Sequence, residues 1–542
     1  MAPNLQVAFR ADASQAMGTG HVRRCLALSQ ALTGFDAKTL FVCRRHDQVS
    51  EHALTSHQAV VWLGQPDLTV SAEGDLNGAD DVRSVYPNWG LVRWQQDADE
   101  TIAALSPSPP NWLVVDHYAW DARWHRRVSK ALGCKIMVID DLGDRPLAAD
   151  LLLDQNLHSD HSAKYANCLD PDRAKTRFLF GPRYALLSAH YAKARKYVFS
   201  EQVRSIGIFM GGTDPDDLSS QALRACREVA QFDGDVVLVS SAASPHHAQR
   251  QALAAQWPRT RVISDLPDLA DFFSRHDLQI GSGGGAAWER CCIGVPTLAF
   301  AIAANQQAVL PQLAARGAVQ LVELPSAASS LQSFGEQIRS LISNSIQRLD
   351  LSRLASQLVD GLGANRVAAA IALAVSPDLT LRRATLDDEP LLLNWSNDEQ
   401  TRRNAFNPEL ILESTHANWL RSKLSKPNAC VFLIAQANNG IPVGTIRFDR
   451  ETNEHQQQSA KVWWLSYSLD KAFRGFGLGS LLVQMGLEMM NKNATFSDLV
   501  KAGVKVDNVP SIKIFSSLLF SQTELSHKGA TAYQFHKPLS TP

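Results

Sequence analysis

The sequence predicts an α/β protein: two tandem halves built on parallel sheets, then a third, smaller domain. Three observations carry this. Short runs rich in Val, Ile, Leu and Phe alternate with amphipathic stretches, as in a parallel sheet covered on both faces. The alternation restarts near Arg204 and is broken at "SPDL", Ser376–Leu379. The 542 residues are also too many for one hydrophobic core. The expected division is 1–198, 199–376 and 379–542.

In the first half, "LQVAFRAD", "KTLFVCR", "NWLVVDHY" and "CKIMVIDD" read as strands. The stretch "HVRRCLALSQALTG" between the first two reads as a helix. In the second half the strands are "SIGIFMGG", "GDVVLVSS", "TRVISDL", "DLQIGSGGG" and "PTLAFAI". Residues Tyr191 to Val203 are the expected hinge, and "RLASQLVDGLGANRVAAAIALAV" is a closing helical run. Two such lobes predict a ligand cleft at the carboxyl ends of their strands.

Three glycine-rich turns follow strands and are expected to line that cleft. In "MGTGH", Gly18 and Gly20 allow a tight strand-to-helix turn and place His21 near a helix N-terminus. The alternative is a plain turn with a capping histidine. In "FMGGTDPDDLS", Gly211 and Gly212 end a strand, and Thr213 or Asp214 can cap the next helix. Free N–H groups there suit a phosphate or sugar oxygen. Asp216 and Asp217 are expected in the first helical turn, where they complement the dipole. In "IGSGGGAAWERCCIGVP", Gly283, Gly284 and Gly285 admit a diphosphate close to the backbone, with a helix starting near Ala286. Glu289, one turn into that helix, can accept both hydroxyls of a ribose or be a surface glutamate. Asn305 and Gln306 follow the next strand and could complete a sugar pocket. Asp12, Asp116, His117 and Asp141 end strands of the first lobe. They are candidates for holding the sugar and orienting His21, or for capping and bracing the loops.

These turns in tandem α/β lobes resemble the GT-B fold of paired Rossmann-type domains. The closer resemblance is to the UDP-sugar hydrolase of pseudaminic acid biosynthesis, over roughly residues 5 to 375. It rests on "FRADASQAMGTGHVRRCLALSQAL", "VVDHYAWDARW", "IDDLGDRPLAADLLLDQN", "LFGPRYALL", "FMGGTDP" and "WERCCIGVP…NQ" in this order. The resemblance implies cleavage of UDP-2,4-diacetamido-2,4,6-trideoxy-β-L-altropyranose, with His21 as the base that activates water. An imidazole titrates in the useful range for that step. The leaving UDP can rest its charge on the donors of Gly283–Gly285, so no metal is expected. One departure stands out. The family has Ser-Thr-Thr before the Trp-Glu of the third turn, and here the positions are Gly285, Ala286 and Ala287.

The last domain carries "KVWWLSYSLDKAFRGFGLGSLLVQMGLEMM". A strand runs into Arg474, Gly475, Phe476, Gly477, Leu478 and Gly479, and a helix is expected near Ser480. This resembles the pyrophosphate loop of GNAT acetyltransferases, whose backbone N–H groups clasp coenzyme A. "LTLRRATLDDEPLLLNWSND" and "GIPVGTIRFD" resemble that family's opening strand and helix and its central hairpin. "LVKAGVKVDNVPSIKIFSSLLF" resembles its next strand and helix, with Asn508 at the cofactor-contact position. The usual Gly-Phe is Leu519-Phe520 here. The resemblance implies that strand residues Leu465 to Leu469 splay from their neighbour and bind pantetheine, and that acetyl-CoA is the co-substrate. Tyr533 could protonate the leaving thiolate or be a packed strand tyrosine. Together the two resemblances imply consecutive steps on one sugar: acetylation of the 4-amino group, then release of UDP. Rival readings are a GT-B glycosyltransferase with an accessory acetyltransferase, or a nucleotide-sugar-binding regulator with an inactive first site.

Composition narrows the partners. Lys+Arg 53 nearly balances Asp+Glu 54, so no global field favours nucleic acid or a membrane surface. No apolar run reaches the ~18 residues of a membrane helix, and "MAPNLQ" lacks the parts of a signal peptide. Eight cysteines with no C-x-x-C pair fit reduced thiols in a cytoplasm, with Cys291 and Cys292 a buried packing pair. The expected partners are a UDP-sugar and acetyl-CoA.

Overall fold

The computed structural model describes residues 5–14, 17–47, 54, 59–65, 89, 92–169, 176–195, 197–211, 214, 216–242, 244–264, 266, 268–302, 304–322, 330–451, 461–492, 498–527 and 530–539. They form three sheets in two compact units, residues 4–368 and 369–542. That boundary falls inside the helix Gly363–Leu373, ahead of "SPDL".

In the first unit, strands β1 (Gln6–Ala11), β2 (Lys38–Arg44), β3 (Val60–Leu63), β4 (Trp112–Asp116), β5 (Lys135–Ile139), β6 (Leu151–Asp154) and β7 (Arg177–Phe180) make one sheet. Its order is β3-β2-β1-β4-β5-β6-β7, and every pair is parallel. Strands β8 (Ser205–Phe209), β9 (Asp235–Val239), β10 (Thr260–Ile263), β11 (Leu278–Ser282), β12 (Thr297–Phe300) and β13 (Gln320–Leu321) make a second. Its order, β10-β9-β8-β11-β12-β13, repeats that of the first six strands of the first sheet, without a seventh. This is a pair of Rossmann-type lobes in an α/β chain, each reversing strand order beside its first strand. The apolar runs are continuous because both faces are covered. Val114, Ile136 and Leu152 are fully buried in the first sheet, and Ile206, Leu238, Ile280 and Leu298 in the second.

The crossing between the lobes comes earlier than the expected hinge. Ala185, Leu187 and Tyr191 already pack in the second lobe's core, against Phe273 and Trp288. Tyr191 lies in the helix Ala189–Ala194. Arg195 then donates to the carbonyls of Val359 and Ser356.

In the second unit, β14 (Thr380–Arg383), β15 (Cys430–Gln436), β16 (Pro442–Arg450), β17 (Val462–Leu469), β18 (Leu499–Lys505), β19 (Ser521–His527) and β20 (Ala530–Pro538) form a mixed sheet. Its order is β14-β15-β16-β17-β18-β20-β19. All neighbours are antiparallel except β17 and β18. One face is covered by helices that bury Leu392, Trp395 and Leu420 against Phe432 and Ile434. No helix among the described residues is long and apolar enough to cross a membrane.

Candidate functional site

Both lobes reverse strand order between their first and fourth strands, and the crevice outside the strand ends is the ligand position of such sheets. In the first lobe these strands are β1 and β4. The "MGTGH" turn follows β1, closed by the Gly18 N–H donating to Ser14 O at 2.8 Å. Gly18 needs its glycine, with φ +73°; Gly20 does not, and simply opens the helix Gly20–Leu32. His21 thereby stands beside the end of β4. Its Nδ1 lies 2.6 Å from Asp116 Oδ1. An ionised carboxylate only accepts, so Nδ1–H donates, and the neutral tautomer compatible with this bond carries its lone pair on Nε2. Nε2 has no hydrogen-bond partner among the described residues.

Arg24, one turn along the same helix, fixes this pair. Its Nε and Nη2 donate to Asp116 Oδ2 and Oδ1 at 2.5 and 2.6 Å, and its Nη1 to Asp141 Oδ2 at 2.7 Å. Burial opposes ionisation of Asp116, but Arg24 and His21 outweigh it and hold the carboxyl well below the usual range. Asp141 also accepts from Tyr118 Oη at 2.5 Å and from Asn156 Nδ2 at 3.0 Å. Burial first, and Asp141 second, push the Tyr118 phenol far up. The Tyr118 ring meets the His21 imidazole edge-on at 4.7 Å.

Asp12 and His117 are placed elsewhere. Asp12 accepts from Arg10 Nη1 at 2.6 Å and from the Arg44 backbone N–H at 2.7 Å, and both Asp12 and Arg10 are fully buried. His117 Nε2 is 3.3 Å from Asp12 Oδ2, and its ring stacks on Trp120. They meet Arg10, Arg44, Trp120 and each other, with no contact to His21 among the described residues.

In the second lobe the equivalent strands are β8 and β11. Gly211, φ +103°, ends the first beside Ser282 of the second: a Cβ there would stand 3.6 Å from Ser282 Oγ. Gly212 and Thr213 lie outside the described residues. Asp214 accepts from the Leu218 and Ser219 N–H groups at 2.9 and 3.0 Å and pairs with Arg250, capping the helix Leu218–Arg224. Asp217 does not lie within that helix: it precedes it with φ +49° and binds Arg250.

After β11 the chain turns at Gly284, φ +71°, and the helix Gly285–Ile293 begins without a side-chain cap. The Ala287 N–H turns back to Gly284 O at 3.1 Å, and the helix N-terminus suits an anion. Gln306 reaches this loop; Cβ atoms built on Gly283 and Gly284 would stand 3.0 and 3.5 Å from its amide. Asn305 lies in the helix Ala304–Gln307 beside it. Glu289 is partly buried. Burial raises its carboxyl, against a hydrogen bond from Tyr191 and the charge of Arg23. Trp288 Nε1 donates to Asn156 Oδ1 at 3.2 Å. This bond joins the nucleotide-type loop of one lobe to the His21 network of the other. Arg24, Tyr118, Asn156, Tyr191 and Trp288 were not singled out from sequence. Only Arg24 left a signal, being spaced to share a helix face with His21.

In the second unit, β17 and β18 pair only from Val462–Leu499 to Trp464–Lys501. Beyond that the strands diverge over Leu465–Leu469, leaving an open slot between two parallel strand edges. The loop after β17 follows, with Gly475 and Gly477 at φ +80° and +76°. The helix Leu478–Asn491 opens on Gly477. Residues 378–521 match the acetyltransferase (GNAT) domain family. This second unit carries a GNAT acetyltransferase domain. The first unit is homologous to two curated proteins. One is the UDP-2,4-diacetamido-2,4,6-trideoxy-beta-L-altropyranose hydrolase of Campylobacter jejuni, 23% identical over 313 residues, 58% of this chain and 97% of that protein. The other is the spore coat polysaccharide biosynthesis protein SpsG of Bacillus subtilis, 30% identical over 199 residues, 36% of this chain. The match spans 58% of the length of SpsG. Among solved structures, MurG of Acinetobacter baumannii aligns with 68% of this chain and 99% of its own, at 15% identity and TM-score 0.46.

In the GNAT domain, Arg474 faces away from the loop it opens. Its guanidinium donates to Asp398 at 2.6 Å, to Gln400 at 2.9 Å and to Thr401 at 3.2 Å, while Nε donates to Leu469 O at 3.1 Å. It ties β17 and the loop to the helix Glu399–Asn404. Gly479 lets two helices approach: a Cβ there would meet Ile514 Cδ1 at 2.7 Å. Ser480 follows in the first turn. Phe476 lies between the two glycines of the turn. Asn508 caps the helix Val509–Ser517 by accepting from the Ser511 N–H. Leu469 ends β17. Tyr533 sits in the ladder between Val504 and Glu524, its ring edge-on to Phe535. Tyr467, within the Leu465–Leu469 segment, has its Oη 2.9 Å from Ser511 Oγ.

Proposed function

We propose that the chain is a bifunctional enzyme of UDP-activated amino sugars. The first unit hydrolyses UDP-2,4-diacetamido-2,4,6-trideoxy-β-L-altropyranose to the free sugar and UDP. The GNAT domain transfers acetyl from acetyl-CoA to the 4-amino group of a UDP-amino-sugar. The observation that carries the first half is the His21–Asp116 bond of 2.6 Å. Asp116 fixes the tautomer, and Nε2 takes a proton from water as its oxygen attacks the anomeric carbon. The bond from that carbon to the UDP oxygen breaks, and the charge left on UDP rests on the N–H groups opening the Gly285–Ile293 helix. Asp141 and Tyr118 line the sugar side in this reading, and Glu289 with Gln306 the nucleoside side.

In the GNAT domain the slot over Leu465–Leu469 supports binding of pantetheine through backbone groups, and the Gly475–Ser480 loop supports binding of pyrophosphate. The amine attacks the thioester carbonyl and the thiolate leaves. The test is to supply each substrate in turn. UDP release from the diacetamido sugar is quantified with wild type and His21→Ala, and thiol release from acetyl-CoA with the 4-amino UDP-sugar. UDP release that His21→Ala loses supports the hydrolase. UDP binding without turnover sinks it and makes the first unit a nucleotide-sugar sensor. Thiol release that ignores the sugar sinks the acetylation half.

A further inference from the structure

Among the described residues, the fully buried arginines pair with carboxylates, with two exceptions, Arg348 and Arg290. Arg10 binds Asp12 and Asp97. Arg44 binds Asp97 and Glu100, and Arg145 binds Asp140 and Asp144. Arg348 lacks a carboxylate but donates to the carbonyls of Leu341, Ile342 and Glu201. Arg290, 1% exposed in the helix Gly285–Ile293, donates only to Ser282 O. Among the described residues its Nε and Nη1 have no partner, and no carboxylate lies within ion-pair distance.

The position is built, not accidental. The guanidinium lies over the Phe273 ring at 5.6 Å. A Cβ on Gly281 would stand 2.3 Å from Phe209 O and 2.6 Å from Nη1, so the glycine under the end of β11 serves both the neighbouring strand and the cation. That strand end leads directly into Gly283–Gly285. Burial lowers the Arg290 pKa to about 10, and Cys291, Glu289 and Tyr191 offset it only in part, so it is charged at neutral pH. A buried cation without a counter-ion is a standing cost to the folded state. The same helix opens with neither a side-chain cap nor an acidic residue in its first turn, and positions 285 to 287 carry no hydroxyl.

We propose that Arg290 is the counter-charge for the diphosphate of a nucleotide bound on the Gly283–Gly285 loop, acting through the loop from beneath. Its charge does the work that side-chain hydroxyls at 285–287 would otherwise do by hydrogen bonding. This rests on the nucleotide reading of the site, and the experiment separates the two. Affinities of uridine, UDP and inorganic pyrophosphate are measured by calorimetry on the full chain, for wild type, Arg290→Met and Arg290→Lys, with folding checked by circular dichroism. The expected result is a loss of about tenfold or more in UDP affinity for Arg290→Met. Uridine affinity is unchanged, Arg290→Lys is intermediate, and the unliganded Arg290→Met protein melts no lower than wild type. If Arg290→Met does not fold, the Arg290→Lys loss and a salt-dependent UDP over uridine preference in wild type decide. A UDP-to-uridine ratio equal in wild type and variants overturns the proposal. Pyrophosphate bound in an Arg290-dependent way, with uridine and UDP not bound, keeps the counter-charge and discards the nucleotide. No binding of UDP or pyrophosphate overturns both.

Discussion

At the scale of single residues, the decisive arrangement is one imidazole held by one carboxylate whose ionised form Arg24 supports. Asp116 accepts from His21 and twice from Arg24, so it stays ionised and His21 stays in one tautomer. Asp116→Asn keeps the shape and removes the charge. On the hydrolase reading it should lower kcat by about 10²–10⁴-fold with KM little changed; steady-state UDP release measures this, and a change confined to KM would place Asp116 in binding instead. Glu289 gives a second prediction. Its carboxyl is raised by burial above the ordinary 4.5, so it begins to take up a proton at higher pH than an exposed glutamate. If ionised Glu289 accepts the ribose hydroxyls, uridine affinity falls as the pH is lowered, beginning above the range where an exposed glutamate titrates. Glu289→Gln should bind more weakly at pH 7 and show no such slope. Calorimetry at four pH values decides, and a slope retained by the variant would assign the titration to another group.

At the scale of elements, strand ends and turns explain both what the sequence disclosed and what it hid. The glycine turns after β1, β8 and β11 were legible because a turn, a helix start and a phosphate-type loop are local in sequence. The split among the strand-end acids was not. Asp116 and His117 are neighbours, yet successive side chains point to opposite faces. One meets His21 and Arg24, and the other meets Asp12 and Trp120. The partners that decide which face is which lie far away in the chain, Asp116 pairing across 95 residues with His21 and Trp288 across 132 with Asn156. No local pattern encodes such distances. The GNAT loop is different, being written within a few residues. Gly477 holds φ +76° with nothing within 4 Å of a built Cβ, so alanine there meets backbone strain alone, about 1–2 kcal/mol. Gly440, φ +80° and equally open, turns the β15–β16 hairpin. Gly477→Ala and Gly440→Ala should therefore destabilise the domain alike. Only Gly477→Ala should raise the KM for acetyl-CoA, by several-fold. Equal KM values would remove the loop from the cofactor site.

At the scale of the whole molecule, the chain repeats one solution and then adds another. The first unit uses the same strand order twice, so each lobe presents its glycine turns at the same place on its sheet: His21 and Asp116 on one, Gly211 and Gly283–Gly285 on the other. The second unit has its own sheet and its own buried cluster around Leu392, Trp395 and Leu420. Two units with separate cores are expected to unfold as separate cooperative transitions. A ligand that binds only the folded form of one unit raises only that unit's transition, by RT ln(1 + [L]/Kd), about 2.7 kcal/mol at a hundredfold excess over Kd. Differential scanning calorimetry of the full chain should thus resolve two transitions. UDP should move one and coenzyme A the other, with both shifts present when both ligands are added. His21→Ala should leave the coenzyme A shift untouched, and Gly477→Ala should leave the UDP shift untouched. A single transition moved by either ligand would mean that the units fold as one body, and binding at one site would then stabilise the other.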